Sequence, residues 1–107
     1  MILMEGVSKV KITVLKRFKP SEVFGKMPVS PKNENFVECG VFKDGQVFIA
    51  EGLRKPEGFC DSAWQAIYGN VRLLQYGGNL PWFKEKGVAV NCCIDGLRPV
   101  IFKLERI

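Results

Sequence analysis

The sequence predicts an α+β domain, an antiparallel sheet of about five strands covered by one main helix. Three observations predict it. "KVKITVLKRF" near the start alternates apolar and polar residues, the signature of a strand with one buried side. "VECGVFKDGQVFIAEG" and "GVAVNCCIDGLRPVIF" each set an Asp-Gly between apolar runs, which signals a hairpin. The stretch 62–76 carries apolar residues at three- and four-residue spacing, as a helix with one buried stripe requires. The 107 residues suffice for one compact core and are too few for two, so 1–107 is read as a single domain.

In the first strand Val10, Ile12 and Val14 share one face, and Lys11, Thr13, Leu15 and Arg17 share the other. "KPSEVFG" follows, with Ser21 placed to cap a single helical turn before Gly25. Residues 26–34 hold Pro28, Pro31 and Asn33 and read as a loop. In the first hairpin, Asp44-Gly45 suits a two-residue type I′ turn. That register pairs Phe42 with Val47, Val41 with Phe48, and Cys39 with Ala50. In the helix, Trp64, Ile67, Val71 and Leu74 form the stripe. Asp61 or Ser62 caps its start, and Gly77 fits the left-handed stop. "GGNLPWF" is a turn with an aromatic anchor. In the last hairpin a three-residue loop, Asp95-Gly96-Leu97, pairs Cys92 with Val100 and Val90 with Phe102. Cys92 is then a core thiol, and Cys93, on the opposite face, is the one open to chemistry.

Composition narrows the function classes. Hydrophobic residues are 47% and charged residues 25%, ordinary for a globular chain and not for a disordered one. No apolar run approaches a membrane span, and the start lacks the basic and apolar regions of a secretory signal. The expected location is therefore the cytoplasm, with four reduced cysteines. The net charge of +5 is concentrated early, in Lys9, Lys11, Lys16, Arg17, Lys19, Lys26 and Lys32. It lacks the interleaved aromatics of a nucleic-acid footprint, so nucleic acid is not the expected partner. The chain contains no histidine, which removes the Ser-His-Asp and Cys-His mechanisms. No Gly-rich phosphate loop stands at a strand-to-helix junction.

The cysteines carry the sharpest functional signal. Cys60 stands just ahead of the helix, where amide dipoles favour thiolate character. Cys39 lies on an apolar face of the first hairpin and Cys93 at the end of a strand. No CxxC spacing is present, so a thiolate-bound metal would need Cys39, Cys60 and Cys93 assembled by the fold. The sequence requires no cofactor. Aromatic residues in the middle third suggest a pocket of Trp64, Asn79, Trp82, Asp95 and Arg98.

The segments "PEGFCDSAW", "YGGNLPWF" and "CCIDGLRPVIFKLERI" resemble a conserved family of small bacterial and archaeal proteins of unknown function. The resemblance runs from about Lys9 to the C-terminus. It implies that Cys39, Cys60 and Cys93 match the family's recurrent cysteines and that Cys92 is an extra. Gly40 and Ile94 stand where the family often has proline after the cysteine. The expected function is a non-enzymatic binding or oligomerisation module, a homo-oligomer that also takes a small ligand. The alternative is a thiol-based metal or redox site of Cys39, Cys60 and Cys93.

Overall fold

The computed structural model describes residues 6–32 and 37–107. In chain order the elements are β1 (Val10–Arg17), α1 (Pro20–Val23), β2 (Val47–Ala50), α2 (Asp61–Gln75), β3 (Val88–Cys92) and β4 (Val100–Arg106). The strands form one sheet in the order β2-β1-β4-β3, and every neighbouring pair is antiparallel. The α+β class holds. Four strands, rather than about five, are found among the described residues. No helix among them is long and apolar enough to cross a membrane.

Val10, Ile12 and Val14 of β1 are fully buried, as the alternation predicts. The pattern then breaks. The pairing with β4 shifts between Val14 and Lys16, so Leu15 is an extra residue, a bulge that flips the strand's facing. Arg17, expected on the solvent side, lies opposite the buried Val100 instead. Ser21 does not cap α1 but sits inside it. Pro20 occupies the first helical position, which suits its fixed φ and missing N–H.

The first predicted hairpin does not form. β2 pairs with β1, Ala50 opposite Val10 and Val47 opposite Thr13, and residues 37–43 are not a strand. At the turn only Gly45 takes a positive φ, of 81°, and no described non-glycine residue does. A type I′ turn needs both. The cause lies in Phe42, which leaves the strand line and enters the core. It is 1% exposed, and its ring stands 5.8, 5.0 and 5.2 Å from those of Phe48, Phe59 and Phe102. Burying that ring in the aromatic cluster is worth about 2–3 kcal/mol, more than one extra pair on a short edge strand.

The main helix starts one residue earlier than predicted, with Cys60 as its N-cap. Ala63, Ile67, Val71 and Leu74 are buried against the sheet. Its end is a Schellman motif. Gly77, at φ 86°, donates its N–H to the Leu74 carbonyl at 3.1 Å, and Gly78 donates to that of Leu73 at 2.8 Å. Arg106 of β4 closes the same end, donating from Nη1 to the carbonyls of Leu74 and Gly78 and from Nη2 to Asn79 Oδ1.

The last hairpin differs from the predicted register by one residue. Asn91 lies opposite Phe102 and Cys92 opposite Ile101, so Ala89 and Asn91 face the helix and Cys92 faces outward, exposed. Two local features decide this. Asn91 is held by the Asn70 amide of α2 at 2.9 Å, so a polar residue sits on the inner face with its hydrogen bond satisfied. Asp95 Oδ1 accepts from the Leu97 and Arg98 N–H groups, which lengthens the connection beyond three residues. The outer sheet face carries Leu15, Val47, Ile49 and Val90, all more than 40% exposed among the described residues.

Candidate functional site

A half-open cavity of about 420 Å³ lies between the start of α2 and the β3–β4 connection. Its walls come from three chain segments: the stretch before β2, the N-terminus of α2, and the connection with the first residue of β4. Each segment contributes one cysteine, Cys39, Cys60 and Cys93 respectively. All three are free thiols, partly buried and packed against the core.

Every cysteine is fixed by its own local structure. Cys39 is held through its backbone, since Arg17 Nη1 donates to its carbonyl at 2.9 Å. Arg17 also donates from its backbone N–H and from Nε to Asp44 Oδ1, at 3.0 and 3.1 Å. This clamp depends on the bulge at Leu15, which turns Arg17 towards the core side. The Arg17 guanidinium, hydrogen-bonded to Asp44, holds that carboxyl below the ordinary carboxylate range. Cys60 is fixed as N-cap, with its carbonyl accepting the Trp64 N–H at 2.9 Å. Its side chain makes no capping bond, so it caps nothing on the helix. Cys93 continues β3 by one more pair, its N–H donating to the Val100 carbonyl at 3.1 Å. Its Sγ in turn accepts the Val100 N–H at 3.3 Å.

The rest of the lining is apolar on the inside and polar at one side. Phe42, Ala63 and Val100 are core residues, while Val41 and Ile94 are exposed at the rim. Ser62, Asp95 and Arg98 supply the polar groups. Partial burial pushes the Asp95 carboxyl up, but the N–H groups of Arg98 and Leu97 and the Arg98 guanidinium outweigh it. The net effect is a carboxyl below its usual range. Arg98 Nε donates to Asp95 Oδ2 at 3.3 Å, so the two charges form a pair on the cavity wall.

The sequence-predicted residues therefore divide. Cys39, Cys60, Cys93, Asp95 and Arg98 line one cavity. Trp64, Asn79 and Trp82 do not. Trp64 packs edge-on to Phe59 and Tyr68, with the Arg72 guanidinium over its ring. Asn79 Oδ1 accepts from the Gly87 N–H and from Arg106, a structural bridge at the far end of α2. Trp82 is 71% exposed beside Phe83. Cys92, expected in the core, is exposed and is not among the residues that line the cavity. Desolvation first, and the neighbouring Cys93 second, push its thiol up, so it stays protonated at neutral pH.

Sequence reading missed Arg17 as the residue that fixes Cys39, and Ser62 as a lining group. Ser62 had a signal, two residues past Cys60 at a helix start. Arg17 had none, because a bulge is not written in an alternating pattern. Among the described residues, no three Cys, Asp or Glu side chains are arranged to hold a single metal ion. Comparison with protein-family models, curated proteins and solved structures finds no match to this chain.

Proposed function

We propose that the protein is a small binding module whose ligand occupies the cavity of Cys39, Cys60 and Cys93. The observation that carries this reading is the convergence of three cysteines, separated in sequence by 21 and 33 positions, on one cavity with apolar inner walls. Its size lies within the range of small-molecule sites, which combine apolar walls with a few oriented polar groups. Asp95, Arg98 and Ser62 are those groups here. Three cysteines around one cavity give the site a soft, polarisable character that apolar packing alone does not require. That makes the thiol-based reading part of the binding reading rather than its rival.

A fragment screen followed by NMR on the full chain tests the proposal. Binders are expected to shift the signals of Cys39, Cys60, Ala63, Cys93 and Val100 together, and Ile94→Trp at the rim is expected to abolish those shifts. Binders that shift only residues outside the cavity, or that survive Ile94→Trp unchanged, would contradict it.

Self-association is a second reading, favoured by a separate observation. The sheet face opposite α2 exposes Leu15, Val47, Ile49 and Val90, and among the described residues no strand pairs with the outer edges of β2 and β3. Sedimentation at rising concentration tests it. A constant monomer mass would end it.

A further inference from the structure

We infer that β3 is the edge through which the chain pairs with a second copy of itself, in an antiparallel ladder whose two-fold axis passes through Val90. The inference rests on the reading of the protein as self-associating and names the surface that does it. The direction of the backbone groups carries it. Cys93 donates its N–H to the Val100 carbonyl at 3.1 Å, and the Gly87 carbonyl accepts the Arg106 N–H at 2.8 Å. In an antiparallel pair only alternate residues exchange such bonds. Between those two points, Ala89 and Asn91 direct their N–H and C=O groups to their partners Leu104 and Phe102 of β4. The N–H and C=O groups of Val88, Val90 and Cys92 therefore point the other way, to the outer edge. No strand among the described residues pairs with them there.

A two-fold axis through Val90 satisfies all of those groups at once. Val90 then faces its own copy and Val88 faces the partner's Cys92, and each pair exchanges two hydrogen bonds. Within β3, any other register leaves at least one of the three residues without a partner. The fit is to a second copy because the donors and acceptors of this edge complement themselves.

Charge selects β3 over the other edge. Its five residues, Val88 to Cys92, carry no charge, so no like charges meet across the axis. On β2 the Gln46 carbonyl accepts the Val14 N–H, so by the same alternation Val47 and Ile49 face the outer edge. Glu51 follows them at once, and a charge in that place keeps edge strands apart. Val90 is 48% exposed in one chain. Pairing covers it with its own copy and removes apolar surface from water.

Amide hydrogen exchange of the full chain at rising concentration, measured beside sedimentation, tests this. The Val88, Val90 and Cys92 amides are open in one chain and bonded in the dimer. Their protection is expected to rise at least about tenfold as the dimer forms, while that of Val47 and Ile49 stays unchanged. Val90→Lys sets two ammonium groups opposite each other, which destabilises a ladder, and is expected to return the chain to monomer. Ile49→Lys, on the β2 edge, is expected to keep the dimer. The exchange arm uses wild type alone, so it decides even where a variant unfolds.

A dimer whose Val88, Val90 and Cys92 amides stay unprotected would overturn the edge assignment and leave self-association by another surface standing. Protection of Val47 and Ile49 in their place would do the same, as would a dimer that persists in Val90→Lys. A chain that stays monomeric at every concentration would end the edge assignment and the self-association reading together.

Discussion

Replacing Arg17 with methionine separates the position of Cys39 from the rest of the fold. Methionine keeps most of the side chain's apolar stem and removes the guanidinium. Two interactions are lost with it. The bond from Nε to Asp44 joins an exposed carboxylate, 57% accessible, and contributes little because solvent screens it. The bond from Nη1 to the Cys39 carbonyl is part-buried and charge-assisted, which is worth about 1.5–3 kcal/mol. The expected loss is therefore about 2 kcal/mol, or about 9 °C in Tm for a domain of this size. Asp44→Asn, which removes only the exposed charge, should cost clearly less. The assay is urea unfolding of both variants together with the rate at which each cysteine is alkylated in the native state. Arg17→Met is expected to speed alkylation of Cys39 and leave Cys93 unchanged. Equal losses in the two variants, or an unchanged Cys39 rate, would refute the clamp.

Three further outcomes follow from the geometry. Gly78→Ala places a Cβ about 2.3 Å from Leu73 Cδ1 and 2.9 Å from the Leu73 carbonyl oxygen. Since backbone must shift, thermal unfolding should show a loss of about 1–3 kcal/mol. Asn91→Ala leaves the Asn70 amide unpaired at the sheet–helix contact and should cost about 1–2 kcal/mol. Asn70→Ala/Asn91→Ala should cost less than the sum of the singles, and strict additivity in denaturant melts would count against the pair. Asp95 has a depressed carboxyl in the fold, so its contribution is present above the unfolded-state value near 3.9 and lost as pH falls through the folded value. Wild type should therefore lead Asp95→Asn in stability at pH 7, and the lead should shrink in acid. A lead that stays constant from pH 7 to about 2 would contradict the assignment.

How far the sequence speaks depends on whether a feature is local. The buried face of β1, the stripe on α2 and the Gly77 stop were all legible, because periodicity and a positive φ are local properties. The first hairpin was not. Its Asp-Gly was real punctuation, but the partner of β2 was β1, and nothing near Asp44 encodes a strand 30 residues upstream. The last hairpin misled through Val88 and Val90, which look like core residues yet lie on the sheet face opposite α2, where Val90 is 48% exposed. Asn91 looks like a surface residue, yet it is inside with Asn70 as its partner. The cysteine set has no paired spacing to mark it, and it is the fold that brings Cys39, Cys60 and Cys93 to one cavity. The aromatic pocket failed because Trp64, Asn79 and Trp82 are spread over the side and far end of α2, whereas Asp95 and Arg98 stand at its beginning.

Cys39, Cys60 and Cys93 line one half-open cavity, and we propose that this cavity holds a ligand. Counting adducts of a bulky maleimide dye on the native Cys92→Ser chain, by intact mass, tests that sharing most directly. A first dye that fills the cavity should block the other two thiols, so labelling should stop at one adduct and reach all three only in denaturant. Three adducts on the folded chain, gained at independent rates, would show three separate thiols and contradict the claim.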